Sequence, residues 1–409
     1  VQRGLKLVKY IGDHGWEPVV ITPDRPSVPV LDPGLARELP PGLVVERLTS
    51  WEPRLGEGVA GSGTSPSPAR GAKALLKELA ANLLFPDRHL LWLPTALPGL
   101  VRAVRRWRPE AVMVSAPPFS SFLLGWAASR LFGLPLLLDF RDEWSGFYAR
   151  GFHPGGQGRL WGAAVNSLEG MLVRAAVTVT CASPDYASRF RQLYGGLPDK
   201  YLWIPNGYDP ADFPAAPTEP PSAPLLPPLP PLRLVYTGTV MGVTSLRPLW
   251  RALALLSEEQ RRRIVIEVAG RVVDDEPVDP GLAGLRVEVH GYLDHQAALA
   301  RMRAAHALVL TLSPGPGAER VIPGKLYEYL AARRPILGLL PRGRASALLE
   351  ACAAGTLADP GQPAQAAEAI AAWLEQPPAP LPPPPRLFDR RQAAAAFASA
   401  LDRAVEGRP

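Results

Sequence analysis

Apolar residues along this chain switch repeatedly between helical and strand periodicity. Val1, Leu5, Val8 and Ile11 recur at helical spacing, and Gly15, after His14, suits a helix C-cap. The run WEPVVIT at 16–22 then reads as a strand. Further strands are predicted over 43–48, 111–115, 135–139, 176–181 and 203–205. Helices are predicted over 98–107, over 119–132 (closed by Gly133), over 160–174 and onward from Pro184. A Gly/Ser/Pro-rich loop over 56–71 and a helix over 72–84 with Lys73 and Lys77 lie between the early elements. A second series starts at 232. Its strands are expected over 232–237, 264–269, 285–290, 307–311 and 335–340, and its helices over 246–257, 296–305, 325–332, 344–354 and 362–374. A last helix is expected over 390–405.

Residues 214–231 separate the two series with nine prolines in eighteen positions. Proline fixes φ and removes a backbone donor, so this stretch reads as a stiff linker. The predicted fold class is α/β, with two Rossmann-like domains facing across a cleft. The boundaries are an N-terminal domain over 1–205, a linker over 206–231, a C-terminal domain over 232–385 and a terminal segment over 386–409. Such a linker makes domain closure plausible.

Composition changes this picture only in places. At 409 residues the chain has room for two or three cores, and 47% apolar with 20% charged residues is a globular balance. Cys181 and Cys352 lie far apart, so neither a disulfide framework nor a metal site is read, which suits a reducing compartment. The six histidines show no HExxH spacing, and no bound zinc is expected. The net charge of +6 is concentrated: residues 54–108 hold nine Lys/Arg and three Asp/Glu, a local +6. That points to an anionic membrane surface or an anionic acceptor, with a solvated basic face as the alternative. No aromatic-interleaved basic groove is present, so nucleic acid is not an expected partner. Phe85, Leu90, Leu91 and Trp92 beside Arg88 suit either interfacial membrane contact or ordinary packing. Residues 1–13 are amphipathic and charged, unlike a signal peptide. The apolar run over 111–129 is broken by Ser115, Pro117, Pro118, Ser120 and Ser121, so it reads as strand, turn and helix and no transmembrane segment is expected.

Candidate chemistry concentrates in VIPGKLYEYLAARRPIL at 321–337. Pro323 and Gly324 punctuate a loop, and Lys325 stands where a helix begins. Free N–H groups and the positive helix end favour a phosphate there, and the lysine adds a point charge. Glu328 shares a face with Lys325; a carboxylate beside a phosphate site can accept hydrogen bonds from a ribose diol. The same spacing also describes an ordinary solvated Lys–Glu pair. A second cluster, DFRDEW at 139–144, follows a buried strand at the edge where open α/β sheets bind ligands. There Asp139 and Arg141 either serve a site or pair to fix the loop.

Six segments together resemble the GT-B glycosyltransferases of the large retaining group, family 4-like and group 1. They are LKLVKYIGDHGWEPVVIT at 5–22, SAPPFSS at 115–121, LDFRDEW at 138–144, IPNGYDPADF at 204–213, LVYTGT at 234–239 and IPGKLYEYLAARRPIL at 322–337. The resemblance implies a nucleotide-sugar donor on the C-terminal domain, an acceptor on the N-terminal domain and a last helix crossing back to the latter. It implies that Glu328 binds the donor ribose, that Lys325 and Arg247 face the pyrophosphate, and that Gly238 and Thr239 form the turn approaching the phosphates. It places Tyr292 at the base, Gly324 in the donor-binding loop and residues 313–322 near the donor sugar. Asp142 and Arg141 are the candidates for catalytic roles near the acceptor or donor sugar. The implied reaction is sugar transfer with retention to a polysaccharide, glycolipid or lipid-linked acceptor, with no cofactor, no metal and no protein nucleophile. The implied location is cytoplasmic, at the inner membrane face. A GT-B-fold sugar-nucleotide epimerase and a non-catalytic donor-binding scaffold are the alternatives.

Two features depart from that pattern. Many relatives carry a glutamate eight residues before the ribose-binding one, where this chain has Arg320, with Glu319 one position out of register. Relatives also begin with a strand and a glycine-rich loop ahead of the first helix. The N-terminal sheet is therefore expected to lack its first strand, as a truncated start would leave it.

Overall fold

A computed structural model describes residues 2–24, 30–52, 58–59, 84–148, 159–213, 231–273 and 276–407. Nearly all of the predicted loop over 56–71, the helix over 72–84 and the proline-rich linker lie outside the described residues.

The chain opens with helix α1 (Gln2–Tyr10), which runs into a 3₁₀ turn ended by Gly15 at φ 83°. Strands β1 (Val19–Pro23) and β2 (Val44–Leu48) pair in parallel. Helix α2 (Leu93–Trp107) starts a turn ahead of the expected 98, because Pro94 stands in its first turn, where a missing N–H is harmless. Then come β3 (Val112–Ala116), α3 (Ser121–Phe132), β4 (Leu136–Phe140), α4 (Arg159–Ala175), β5 (Thr178–Cys181), α5 (Pro184–Tyr194) and β6 (Tyr201–Trp203). Strands β3 to β6 form a four-stranded parallel sheet in sequence order. Among the described residues this sheet is not hydrogen-bonded to the β1–β2 pair. What joins them is α2, which packs Leu100 and Val104 with Leu48, Ile21 and Val112.

The second half is a six-stranded, wholly parallel sheet. Its strands are β7 (Leu232–Thr237), β8 (Ile264–Ala269), β9 (Arg286–Gly291), β10 (Ala307–Thr311), β11 (Ile336–Leu339) and β12 (Gly355–Ala358), in the order β9-β8-β7-β10-β11-β12. The chain reverses direction across the sheet between β7 and β10, which is where such sheets open a ligand crevice. Helices α6 (Arg247–Ala254), α7 (His295–Ala304), α8 (Lys325–Ala331), α9 (Arg344–Ala351) and α10 (Pro363–Glu375) cover its faces. Two apolar clusters, one around Leu308, Leu326 and Leu349 and the other around Leu249, Ile266 and Ile370, fill the two sides. The sequence pattern misses β12. Its four residues GTLA offer no β-branched run, and Gly355 is required there both by its φ of 134° and by the backbone of Ile336, which a Cβ would overlap. The helix expected over 246–257 stops at Ala254, since Ser257 caps a separate short turn through a reciprocal pair with Gln260.

Helix α11 (Arg390–Glu406) ends the described chain and packs on the first half, with Phe397, Ala400 and Leu401 against Ile11, Leu137 and Ile204. The two crossings between the halves run side by side. Tyr208 N donates to Phe388 O (2.8 Å), and Arg390 N donates to Tyr208 O (2.9 Å). Gly207, at φ 71°, is needed there because any Cβ would press on the Phe388 carbonyl.

Candidate functional site

Each side chain of the KLYEY stretch has its own destination. Leu326 enters the core, and Tyr327 packs edge-on to Phe388, ring centroids 5.0 Å apart. Tyr329, one helical turn past Lys325, reaches the end of β7, where the Thr237 N–H donates to its hydroxyl (3.0 Å). This ties α8 to the strand end that opens the crevice. Lys325 and Glu328, three residues apart, share the remaining face.

Lys325 lies against β7. Its Nζ stands 3.9 Å from the centroid of the Tyr236 ring and 3.0 Å from where a Cβ of Gly238 would be. The ammonium is out of water and has no hydrogen-bond partner among the described residues. Gly238 takes φ 111°, and a Cβ on Gly270 would overlap the Gly238 carbonyl, so the ends of β7 and β8 meet backbone to backbone. Beyond them Val240 N donates to Arg271 O (2.7 Å), and Val273 N donates to Val240 O (2.9 Å). The Thr239 carbonyl is engaged by the Tyr236 hydroxyl (2.6 Å) and by Thr244 Oγ1 (2.8 Å), which fixes the turn.

Glu328 is mostly buried. Loss of solvent pushes its carboxyl pKa up, against the charges of Arg390 and His295. Gly324 is exposed, with Asn206 of the crossing segment 3.8 Å from its Cβ position. Tyr292, just past β9, is half-buried; burial raises its phenol pKa, as does Asp32 from the first half, while Arg271 opposes the shift. Arg247 has gone elsewhere: its guanidinium is half-exposed and faces Glu276 at 3.5 Å. Arg271, which the sequence does not single out, is half-buried beside the Gly238–Gly270 contact. It pairs with no carboxylate among the described residues, and burial lowers its pKa. Nothing in the sequence separates Arg271 from other arginines that follow strands.

The opposite wall is the DFRDEW segment. Asp139 does not pair with Arg141. Its carboxylate is wholly buried, and Arg3 of α1 grips it through Nε (2.9 Å) and Nη2 (2.8 Å). Ser115 and Thr180 hydroxyls add bonds of 2.7 Å each. Burial disfavours the Asp139 carboxylate, but Arg3 and the hydroxyls hold its pKa below the usual range. This pair therefore ties α1 to the four-stranded sheet. Arg141 instead donates to the Pro117 carbonyl. Asp142 follows it, and burial raises its carboxyl pKa against the pull of Arg141.

Glu143 is completely buried. Arg189 of α5 meets one of its oxygens, and Arg320 of the second half donates to the other at 2.8 Å. Arg320, the residue that departs from the family pattern, thus spends its charge on Glu143 and the adjacent Glu319. The next residues form a single π-turn, Trp144–Tyr148, pinned by buried Glu169, which accepts from Ser145 N (3.0 Å), Ser145 Oγ (2.8 Å) and Tyr194 (2.5 Å). Phe147 on this turn packs into the core of the second half, and Gly317 at φ 84° lies against the Gly146 carbonyl.

Two groups of side chains have metal-ligand chemistry among the described residues: Glu38 with Asp212 and His295, and Glu267 with Glu288 and His290. In the first, the Lys6 ammonium already sits among the carboxylates, 3.0 Å from Asp212 and 2.7 Å from neighbouring Asp209. In the second, Arg233 and Arg301 flank Glu267. Both groups are internally neutralised. No helix among the described residues is long and apolar enough to cross a membrane.

Lys325, Gly238, Thr239 and Glu328 are therefore gathered at the reversal point of the six-stranded sheet, while Asp142 and Arg141 lie on the facing segment. Family models match both halves of the chain. The glycosyl transferase 4-like domain matches residues 2–207, and the glycosyl transferases group 1 domain matches residues 231–376. HepE of Anabaena, in complex with UDP and glucose, aligns over 95% of this chain and 97% of its own, with 14% identity and a TM-score of 0.53. Sucrose-phosphate synthase of Thermosynechococcus elongatus aligns over 98% and 89%, with 15% identity and a TM-score of 0.54. No curated protein matches the sequence. The chain belongs to the glycosyl transferase 4-like, group 1 family, and is a nucleotide-sugar-dependent glycosyltransferase of the GT-B fold.

Proposed function

We propose that this enzyme transfers a sugar, with retention at the anomeric carbon, from a nucleoside diphosphate donor to a polysaccharide, glycolipid or lipid-linked saccharide acceptor. The observation that carries the donor site is the Lys325 ammonium, buried at the end of β7 beside Gly238 with no carboxylate bonded to it among the described residues. A buried, uncompensated cation is costly to hold and favours an anionic ligand. In this reading the donor diphosphate lies over the Gly238–Thr239 turn with its charge facing Lys325. As the glycosidic bond breaks, negative charge grows on the departing diphosphate, and a cation fixed in a water-poor site stabilises it most at that moment. Lys325 supplies that charge, and no metal is invoked.

Glu328 takes the ribose hydroxyls. Its carboxylate can accept two hydrogen bonds from a diol, and Arg390 and His295 offset part of the burial that pushes its pKa up. Tyr292 and Arg271 border the base end, and Gly324 leaves the approach to Lys325 open. Arg247 serves as an outer cation at most, given its bond to Glu276. Asp142 and Arg141, on the facing wall, contact the transferred sugar or the acceptor hydroxyl. The N-terminal domain receives the acceptor. The exposed face of α2, with Arg102, Arg105, Arg106, Trp107 and Arg108, suits an anionic membrane surface carrying a lipid-linked acceptor at the inner face of the membrane.

HepE has been solved with UDP-glucose, so uridine donors head the panel for a test. Release of nucleoside diphosphate is measured from a set of sugar nucleotides for the chain and for Glu328→Ala and Lys325→Ala. Release from one donor, lost in both variants, supports the reading and names the sugar. Release that survives both substitutions refutes the assigned site, and donor interconversion without release refutes transfer.

A further inference from the structure

We propose that Tyr236 is a positioning residue for the donor site: its ring is the platform that holds the Lys325 ammonium buried and uncompensated, free to meet a diphosphate. The inference rests on the donor reading above and goes beyond it, because Tyr236 itself touches no donor atom.

Tyr236 is fully buried on β7, two residues before Gly238. The Lys325 Nζ sits 3.9 Å from its ring centroid, well inside the range of a cation–π contact. A carboxylate in that place would hold the lysine more tightly, but it would cancel the charge and oppose an anionic ligand. A ring attracts the cation through its quadrupole and carries no net charge. The lysine is thus restrained without being neutralised. The phenol adds a second constraint. It donates to the Thr239 carbonyl (2.6 Å) and so orients the ring, while Thr244 Oγ1 (2.8 Å) holds the same carbonyl without it. Gly238 between them has no Cβ, and a methyl group there would come within 3.0 Å of Nζ. Ring, ammonium and glycine together form a gap lined by backbone and one positive charge.

The inference predicts an effect specific to the diphosphate and routed through Lys325. Affinities of the intact chain for UDP, UMP, GDP and GMP are measured by calorimetry, with Tyr236→Phe, Tyr236→Leu, Lys325→Met and the Tyr236→Leu/Lys325→Met pair. Loss of the platform should weaken nucleoside diphosphate binding by roughly 5- to 30-fold, the range of a desolvated cation–π contact. Nucleoside monophosphate binding should change by less than about threefold. Tyr236→Phe, which keeps the ring, should stay within about threefold for both. In the Lys325→Met background, Tyr236→Leu should add almost nothing. Equal losses for mono- and diphosphates, additive losses in the double variant, or a Tyr236→Phe defect as large as that of Tyr236→Leu would each overturn the inference while leaving the donor site in place. A wild-type chain that binds neither nucleoside diphosphate would overturn the donor reading and this inference with it.

Discussion

Arg320 and Glu143 join the two walls of the cleft: Arg320 Nε donates to Glu143 Oε2 at 2.8 Å, and the carboxylate has no solvent contact. Arg320, at the position where the family resemblance leads one to expect a glutamate, is a cation that reaches across to the other domain. Removing one partner of a buried pair leaves the other charge unsatisfied, which typically costs about 3–5 kcal/mol. Here both arginines keep some solvent contact, so the expected cost of Glu143→Gln is nearer ~2 kcal/mol. The larger effect should fall on turnover, because the pair holds the loop over 313–322 against the π-turn. Arg320→Gln and Glu143→Gln are each expected to lower kcat/KM by about tenfold, with a double variant little worse than either. Nucleoside diphosphate affinity should move by less than about threefold, since Lys325 and Glu328 both belong to the second domain. Steady-state kinetics alongside calorimetry checks both. Full additivity would show that the two residues do not work through one contact.

Arg271 and Arg247 make opposite predictions for the same ligand. Arg271 is half-buried at the crevice and its charge is not spent on a carboxylate among the described residues, whereas Arg247 is half-exposed and held by Glu276. An exposed, paired arginine contributes little, and a desolvated one with no counter-charge contributes much. Arg271→Ala should therefore weaken UDP or GDP binding about tenfold or more, and Arg247→Ala by less than about threefold. Titration of both variants decides the matter, and the reverse ranking would return Arg247 to the diphosphate.

The Arg3–Asp139 pair carries stability rather than chemistry. Asp139 accepts from Arg3, Ser115 and Thr180, and all four side chains stand on the framework of the first domain. Asp139→Asn removes the charge and strands a buried guanidinium, which should cost ~3–5 kcal/mol. The pair Arg3→Met/Asp139→Leu should recover a large part of that loss, as apolar replacement of buried ion pairs commonly does. Urea denaturation at neutral pH measures each. The folded pKa of Asp139 is depressed, so its contribution is present above the unfolded value of about 3.9 and is lost as pH falls through the folded value.

How far these features were legible in the sequence depends on the kind of signal each one leaves. Periodicity located the strands of the second sheet because buried parallel strands such as IVIEVA and ALVLT are apolar at every position but one, Glu267 and Thr311 respectively. It failed at β12, whose place is set by Gly355 fitting against Ile336 rather than by apolar character. Lys325 and Glu328 could be picked out because both stand on one short helix, where spacing fixes a shared face. Asp139 could not be matched with Arg3, nor Glu143 with Arg320, because those partners are separated by more than a hundred residues and only the tertiary fold brings them together. Arg271 could not be set apart from Arg247 for the same reason. The deciding facts are burial and the presence of Glu276, and neither leaves a local pattern.

His295 offers a pH-dependent test of the contact between the domains. The imidazole starts α7 in the second domain, yet its Nε2 is 3.0 Å from Asp212, its Nδ1 is 3.2 Å from Gln2 of α1, and its backbone N–H reaches Asp32 at 3.2 Å. Burial works against the imidazolium, but the bond to Asp212 and the nearby charges of Glu328 and Asp212 outweigh it, with Lys6 opposing, and the net pKa is raised above 6.5. A group with a raised folded pKa stabilises fully below its unfolded value and loses that contribution as pH climbs through the folded value. His295 should therefore stabilise the folded chain at pH 6 and progressively less above pH ~6.5. His306, whose pKa is lowered by burial and by Arg334 and Arg233, pulls the other way, so the wild-type slope alone mixes the two. The difference between wild type and His295→Gln isolates the term. It should be largest near pH 6 and shrink toward pH 8, measured as unfolding free energy in a urea series. A difference that stays constant across that range would mean that His295 is neutral in the folded chain and that the Asp212 contact is an ordinary hydrogen bond.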